Sequence, residues 1–362
     1  MKEPTIERVE ARAFRIPTDQ PEADGTFRWD ATTMVVVQLK SEGVTGLGYT
    51  YADTSAACLT KDKLADLIIG RNPCDIPACW DAMLGSLRNL GEAGIGMLAV
   101  SAIDVALWDL KARLLDLPLV DLIGNFRDRV PIYGSGGFTT YSIPQLQQQL
   151  AGWVTEGIPR VKMKTGSDPG QDAERVRYAR EAIGSSAELF VDANGAYGRK
   201  QALHLANTFA EQGVTWFEEP VVHHDRQGLR QLRDRAPCGM EIAAGEYGFT
   251  TGYFQQMLHD GCVDVLQADA SRCGITGFLK AAVLCEAYHL PLSSHCAPAL
   301  HVHPCCSAEP VRHLEYFHDH ARIEQMLFEG VPEPVGGNLL PDRSRRGMGL
   351  GLREEESRRY EL

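Results

Sequence analysis

After Gly124 the chain repeats one pattern eight times, a short apolar run of strand character followed by a stretch with helical spacing. The runs are Val130-Pro-Ile-Tyr-Gly, Arg160-Val-Lys-Met-Lys, Glu188-Leu-Phe-Val-Asp, Val214-Thr-Trp-Phe-Glu, Glu241-Ile-Ala-Ala-Gly, Val263-Asp-Val-Leu-Gln, Leu290-Pro-Leu-Ser-Ser and Val311-Arg-His-Leu-Glu. Between them Leu203, Ala206 and Ala210 recur at helical steps, and the spacing predicts a helix over 171–183 that Gly184 stops. Eight alternating units in about 200 residues match a closed parallel (β/α)8 barrel. An open doubly wound sheet is the alternative. Its nucleotide-binding forms lose support, because no Gly-x-Gly-x-x-Gly follows an early strand and no Gly-Lys-Ser/Thr phosphate loop occurs.

From the second run onwards, each strand leads into an ionisable residue. These are Lys162 and Lys164, Asp192, Glu218, Glu246, Asp269, His295 and Glu315, one set per unit at intervals of 20 to 28 residues. The C-terminal ends of barrel strands all face one mouth, so the set should converge on one site. Three carboxylates from neighbouring strands offer hard oxygen donors suited to Mg2+ or Mn2+. Alternation along a strand sends Glu218 and Glu219 to opposite faces, so one of the two should face the mouth. Lys162 and Lys164, two residues apart, share a face; their repulsion is expected to lower the pKa of one and make it a base near neutrality. His295 is expected to pair with Asp269, one strand earlier, which would stabilise the imidazolium and supply a second acid/base.

Residues 1 to about 60 read as strands and turns, with Val35-Val36-Val37 as a strand and Glu42-Gly43, Gly46 and Gly48 as turn signals. Over 60–123 the pattern is helical. Ile103, Leu107, Leu110, Leu114 and Leu117 form a stripe that Pro118 limits. The segment from Asp24 to Trp29 carries Phe27, Arg28 and Trp29 between two strands, where it could be an exposed loop or a lid. The formal net charge of −12, with no basic run, argues against nucleic acid as a partner. Ten cysteines scattered through apolar stretches, with no secretory signal at the start, predict reduced thiols and a cytoplasmic protein. The longest apolar window is broken by Asp104, short of the roughly 18 residues a membrane span needs, so no membrane is expected as partner. His301, His303, Cys305 and Cys306 offer zinc donors but lack paired Cys-x-x-Cys spacing and read as packing or surface.

Taken together, Ser101-Ala-Ile-Asp-Val-Ala-Leu-Trp-Asp-Leu-Lys, Lys162-Met-Lys164, Val191-Asp-Ala-Asn-Gly-Ala-Tyr197, Trp216-Phe-Glu-Glu-Pro220, Ala244-Gly-Glu246, Asp269, Gly274-Ile-Thr-Gly277 and Ser294-His295 resemble the enolase superfamily. Within it they resemble the mandelate racemase/muconate lactonizing enzyme group and its mandelate racemase subgroup. The resemblance implies an α/β fold: a (β/α)7β TIM-like barrel over 125–330 beneath an α+β capping domain, formed by 1–124 and a tail of about 331–362. It implies Mg2+ on Asp192, Glu218 and Glu246, which favours Glu218 over Glu219. It also implies general bases at Lys164 and at His295 paired with Asp269, with Glu315 near the substrate carboxylate; Lys162 is expected to tune Lys164 and touch that carboxylate. A homo-oligomer is expected at the family level. The family usually has two glycines before the Val/Ile-Thr-Gly segment, whereas Cys273-Gly274-Ile275 has one. The Asp-x-Asp signature of dipeptide epimerases is missing after the eighth run, which reads Glu315-Tyr-Phe-His-Asp319-His.

The chemistry so implied is abstraction of the proton α to a carboxylate through an ene-diolate, with the metal, Lys162 and a protonated Glu315 stabilising the developing charge. Loss of a β-hydroxyl would then dehydrate a sugar acid to a 2-keto-3-deoxy acid; return of the proton on the other face would racemise or epimerise it, and a cycloisomerase would use the same site. Phe27, Arg28, Trp29, Tyr49, Asn194 and His224 are the expected substrate contacts. Two readings compete, a barrel that binds a ligand with its metal but does no chemistry, and a zinc amidohydrolase.

Overall fold

The computed structural model describes residues 3–362. Three antiparallel strands open the chain, β1 (Arg8–Ala23), β2 (Arg28–Ser41) and β3 (Val44–Tyr51), in sheet order β1-β2-β3. Glu42 and Gly43 both have positive φ, 51° and 75°, the geometry that two-residue hairpin turns require. Gly46 and Gly48 are not turn residues. They lie inside β3, where the helix Ile95–Leu114 crosses the sheet too closely for a side chain. A Cβ at Gly48 would stand 2.2 Å from the Ala102 carbonyl oxygen and 2.5 Å from the Ala106 nitrogen. Gly48→Ala should therefore destabilise the protein by about 2–3 kcal/mol or prevent folding, read as a lower denaturation midpoint in urea.

That helix is buried on nearly every side, because β3 covers one face and the helix Ala270–Tyr288 covers another. Its apolar stripe is therefore only part of its buried surface, and polar residues are enclosed with it. Asp104 accepts hydrogen bonds from the Thr276 amide (2.9 Å) and hydroxyl (2.6 Å), tying the cap to the barrel. The single glycine of Cys273-Gly274-Ile275 sits at this junction. Gly274 breaks the helix with φ 70° and ψ 165°, and a Cβ there would lie 2.6 Å from Asp104 Oδ2.

The eight apolar runs form eight parallel strands: β4 (Val130–Gly136), β5 (Arg160–Lys164), β6 (Glu188–Asp192), β7 (Val214–Glu218), β8 (Glu241–Ala244), β9 (Val265–Ala268), β10 (Leu292–Ser294) and β11 (Val311–Phe317). Pairing of β11 with β4 closes the barrel. The helix Asp172–Ile183 ends at Gly184 with φ 72°, as its sequence predicts. A helix, His318–Leu327, also follows the eighth strand. Inward-facing rings fill the barrel's interior: Phe190 stacks on Trp216 with centroids 5.2 Å apart, and Tyr133 and His313 pack against both from β4 and β11. Two residues further along three of these strands, the same face presents Asp192, Glu218 and Glu315. The aromatic layer is thus the floor of the site.

The tail serves both parts. Asn338–Leu339 adds antiparallel to the start of β4, on the barrel, while Arg12 of the cap forms ion pairs with Glu354 (2.7 Å) and Glu361 (2.8 Å). Among the described residues no helix is long and apolar enough to cross a membrane.

Candidate active site

At the C-terminal mouth, Asp192, Glu218 and Glu246 are buried with carboxylate oxygens within 4.8 Å of one another. Asp192 Oδ1 accepts from the Asn194 amide at 2.9 Å, and Glu218 Oε2 accepts from the Trp216 indole at 2.9 Å. Glu219, at φ 37°, is buried outside the triad. Burial and the Asp192 carboxylate push Glu218 up to about 8. Three like charges this close are costly without a cation between them.

Lys162 and Lys164 do face the same side, but the sequence expectation of a lowered lysine pKa is reversed. Lys162 Nζ contacts Glu218, lies 2.8 Å from Glu315 and 3.5 Å from Asp192, while Lys164 Nζ lies 2.5 Å from Asp192. Burial opposes both ammonium charges, but these carboxylates outweigh burial and the Lys–Lys repulsion, so both pKa values are raised. The same contact corrects the expectation of a protonated Glu315. Burial raises its pKa, but Lys162, His295 and Lys164 together outweigh burial and hold the carboxyl well below the usual range, and Glu315 Oε2 also accepts from the Cys296 amide at 2.8 Å. Glu315 is a carboxylate here and has no proton to donate.

Across the mouth, His295 Nδ1 lies 2.9 Å from Asp269 Oδ2. Asp269 is itself anchored: its Oδ1 accepts from the Ser271 amide at 2.7 Å as the cap of the following helix. The His295 side chain and its buried carboxylate are paired, which keeps Asp269 ionised despite burial. Burial lowers the His295 pKa, but Glu246 and Asp269 outweigh it and the net shift is upward. Nδ1–H therefore donates to Asp269, leaving Nε2 towards Glu246 Oε2 (3.5 Å) and Cys296 Sγ (3.3 Å).

A cavity of about 510 Å3 lies over this floor and is lined by Lys164, Glu246, Asp269, His295 and Asn194 from the barrel. Phe27 and Trp29 close it from the cap, and Glu22, fully buried, fixes Trp29 by accepting from its indole at 2.8 Å. Arg28, Tyr49 and His224 do not line it. Arg28 turns away into a neighbouring depression with Thr139, Thr140 and Ser167. Tyr49 is buried in the core, and its hydroxyl lies 2.5 Å from Glu324. His224 is exposed beyond His223, whose ring stacks on Tyr247 at 4.4 Å.

Among the lining residues that escaped the sequence reading are Tyr51, Asp53, His320, Tyr247 and Arg272. Tyr51 shares its strand face with Tyr49 but sits at the open end, stacked on His320. Tyr247 and Arg272 follow Glu246 and Asp269 by one and three residues, and that proximity was the available signal. The two histidines among the zinc donors are spoken for. His301 Nε2 accepts from the Ala270 amide (2.8 Å), and His303 Nδ1 accepts from the Val120 amide (3.2 Å) while Nε2 donates to the Met348 carbonyl (3.1 Å).

A closed parallel barrel under an antiparallel cap, with two lysines, a His–Asp pair and a buried carboxylate triad at one barrel mouth, is the architecture of an enolase-superfamily enzyme. Residues 13–124 match the family model of the mandelate racemase/muconate lactonizing enzyme N-terminal domain, and 145–356 match that of the enolase C-terminal domain-like family. The chain belongs to the mandelate racemase/muconate lactonizing enzyme group of the enolase superfamily. It is similar to the 3,6-anhydro-alpha-L-galactonate cycloisomerase of Streptomyces coelicolor, at 32% identity over 95% of this chain and 97% of that protein. Its structure is similar to a mandelate racemase/muconate lactonizing enzyme-like protein from Rubrobacter xylanophilus, with TM-score 0.97 and 53% identity over 99% and 100% of the two chains. It is also similar to L-talarate/galactarate dehydratase from Salmonella typhimurium liganded with Mg and L-lyxarohydroxamate, with TM-score 0.92 and 28% identity over 100% and 94%.

Proposed function

We propose that the protein is a Mg2+-dependent sugar-acid dehydratase that converts its substrate to a 2-keto-3-deoxy acid. The observation that carries this reading is the arrangement of Lys164 and His295 on one cavity, with the strands of Asp192, Glu218 and Glu246 between theirs. The residues fit the cation. They are hard oxygen donors, and Glu246 Oε2 is a buried oxygen with no hydrogen-bond partner. Bound there, Mg2+ would draw charge from the substrate carboxylate and so stabilise an ene-diolate.

Lys164 takes the α-proton once it has lost its own. Lys162, held between Glu218 and Glu315, is an ammonium that donates a hydrogen bond to the negative charge as it develops. His295, whose imidazolium is stabilised by Asp269, delivers a proton to the departing β-hydroxyl, which leaves as water. The Lys162/Lys164 pair together with His295–Asp269 favours the mandelate racemase subgroup. A cycloisomerase is the second reading, favoured by the nearly complete overlap with the Streptomyces coelicolor protein.

A panel of acid sugars with Mg2+, read for 2-keto products and for α-proton exchange in D2O, tests the proposal. At least one acid should give both. Tight binding with neither exchange nor product would leave a binding barrel and end the dehydratase reading. Asp269→Asn should lower kcat by about a hundredfold. The His295 pKa should also fall, because a charge that raises it is gone. A general acid works only below its pKa, so the basic limb of the pH–rate profile should move to lower pH. Histidine NMR titration checks the same shift directly.

A further inference from the structure

The cavity is not evenly charged. Its cationic side chains gather at the barrel end. Lys164 sits on Asp192, His295 on Asp269, and Arg272 between the Glu246 carbonyl (3.0 Å) and Asp269 (3.7 Å). The opposite wall comes from the cap, from residues within 24–33 and 51–53. Two carboxylates line that wall, Asp24 and Asp53, and no lysine or arginine does. The only cation in those two stretches, Arg28, is exposed and turns into the adjacent depression.

Both cap carboxylates are held by the backbone and keep an acceptor free. Asp24 Oδ1 accepts from the Thr26 and Phe27 amides at 2.6 and 2.7 Å, and Asp53 Oδ1 accepts from the Ser55 amide at 2.9 Å, as the cap of the helix Thr54–Leu59. Among the described residues, neither Oδ2 has a hydrogen-bond partner in the protein. Hydroxyl groups of a ligand can donate to such oxygens, whereas a second carboxylate would meet them as a like charge. His320 does not offset this. Burial pushes it down to about 3, and its Nδ1 accepts from the Ala297 amide at 3.3 Å, so the ring is neutral. Phe27, Trp29 and Tyr51 complete the wall with ring faces against which the C–H edges of a sugar chain can pack.

We infer that the cavity selects a monocarboxylic sugar acid, its carboxylate at the barrel end and a neutral polyhydroxylated tail against Asp24 and Asp53, over the diacid of the same configuration. The inference rests on the sugar-acid reading above and narrows it. The relatives span both classes, a galactonate-type cycloisomerase and a talarate/galactarate dehydratase among them, so likeness alone does not choose.

The test uses the full chain with Mg2+ and matched six-carbon pairs, galactonate with galactarate and gluconate with glucarate. Dissociation constants come from calorimetry, and kcat/KM from 2-keto acid formation. In the better-bound pair the monoacid should bind at least about tenfold more tightly than its diacid. Asp53→Asn, which preserves the helix cap, and Asp24→Asn should each improve diacid binding by about three- to tenfold and change monoacid binding less. A diacid that binds as well as its monoacid, or a ratio unchanged in the double variant, overturns the inference. A monoacid preference in binding without turnover leaves it standing and removes only the dehydratase reading. Failure of every acid to bind removes both.

Discussion

Lys164→Met should lower kcat by about 10³- to 10⁴-fold and abolish α-proton exchange for any substrate whose proton Lys164 takes. Met keeps most of the volume and stem of the side chain, so the buried wall beside Asp192 stays filled and the loss reports on the amine. Mg2+ affinity should hold or tighten, because the ammonium that sits 2.5 Å from Asp192 no longer competes for that carboxylate. His295→Asn makes the complementary experiment. With the same substrate it should block product formation while leaving exchange, since proton removal precedes loss of the hydroxyl. Thermal unfolding of each variant separates catalysis from folding. Wild-type turnover in both variants would defeat the two-base mechanism.

Removal of divalent cations should lower activity by at least about 10³-fold, and Mg2+ should restore it, because the charge that must develop on the substrate carboxylate is otherwise uncompensated. The electrostatics of the site add a second reason. Without a cation Asp192 holds the proton on Lys164, so the base is already occupied at neutral pH. Burial and the Asp192 carboxylate push Glu218 up to about 8, so protons compete with the metal for it as pH falls. Mg2+ affinity should therefore increase as pH rises through about 8. Calorimetric titrations in buffers of different ionisation enthalpy should show protons released on binding. Glu246→Gln should weaken binding and activity together. Full activity after exhaustive chelation would rule out the assignment of the carboxylate triad.

Most of the barrel was legible because one physical rule repeats through it. A strand buried on both faces needs an apolar run, and its exit into the mouth ends that run with a polar residue. All eight runs from Val130 to Glu315 became the parallel strands of the closed sheet, within two residues at their starts. The same rule brought Asp192, Glu218 and Glu246 together, since side chains at the ends of adjacent parallel strands point the same way.

The cap was less legible because its residues are chosen by what crosses them. Gly46 and Gly48 read as turns, yet they serve the close passage of the helix Ile95–Leu114, a partner about sixty residues away along the chain. Tyr49 and Tyr51 share a strand face, and only the packing of Glu324 against one and of His320 against the other decides which is core and which is site. Arg28 and Trp29 are neighbours, but a buried Glu22 fixes the indole over the cavity while the guanidinium points elsewhere.

Spacing along the chain was enough to determine a barrel, the strand ends that carry ionisable groups, and the identity of those groups, because strand period and parallel crossover are local rules. Protonation states were decided only by the tertiary structure. Lys162 and Lys164 looked like mutually repelling cations, and Glu315 like a free acid. In the folded chain they are joined with Asp192 and Glu218, and Coulomb interaction across a buried site of low dielectric outweighs anything a neighbour in sequence exerts.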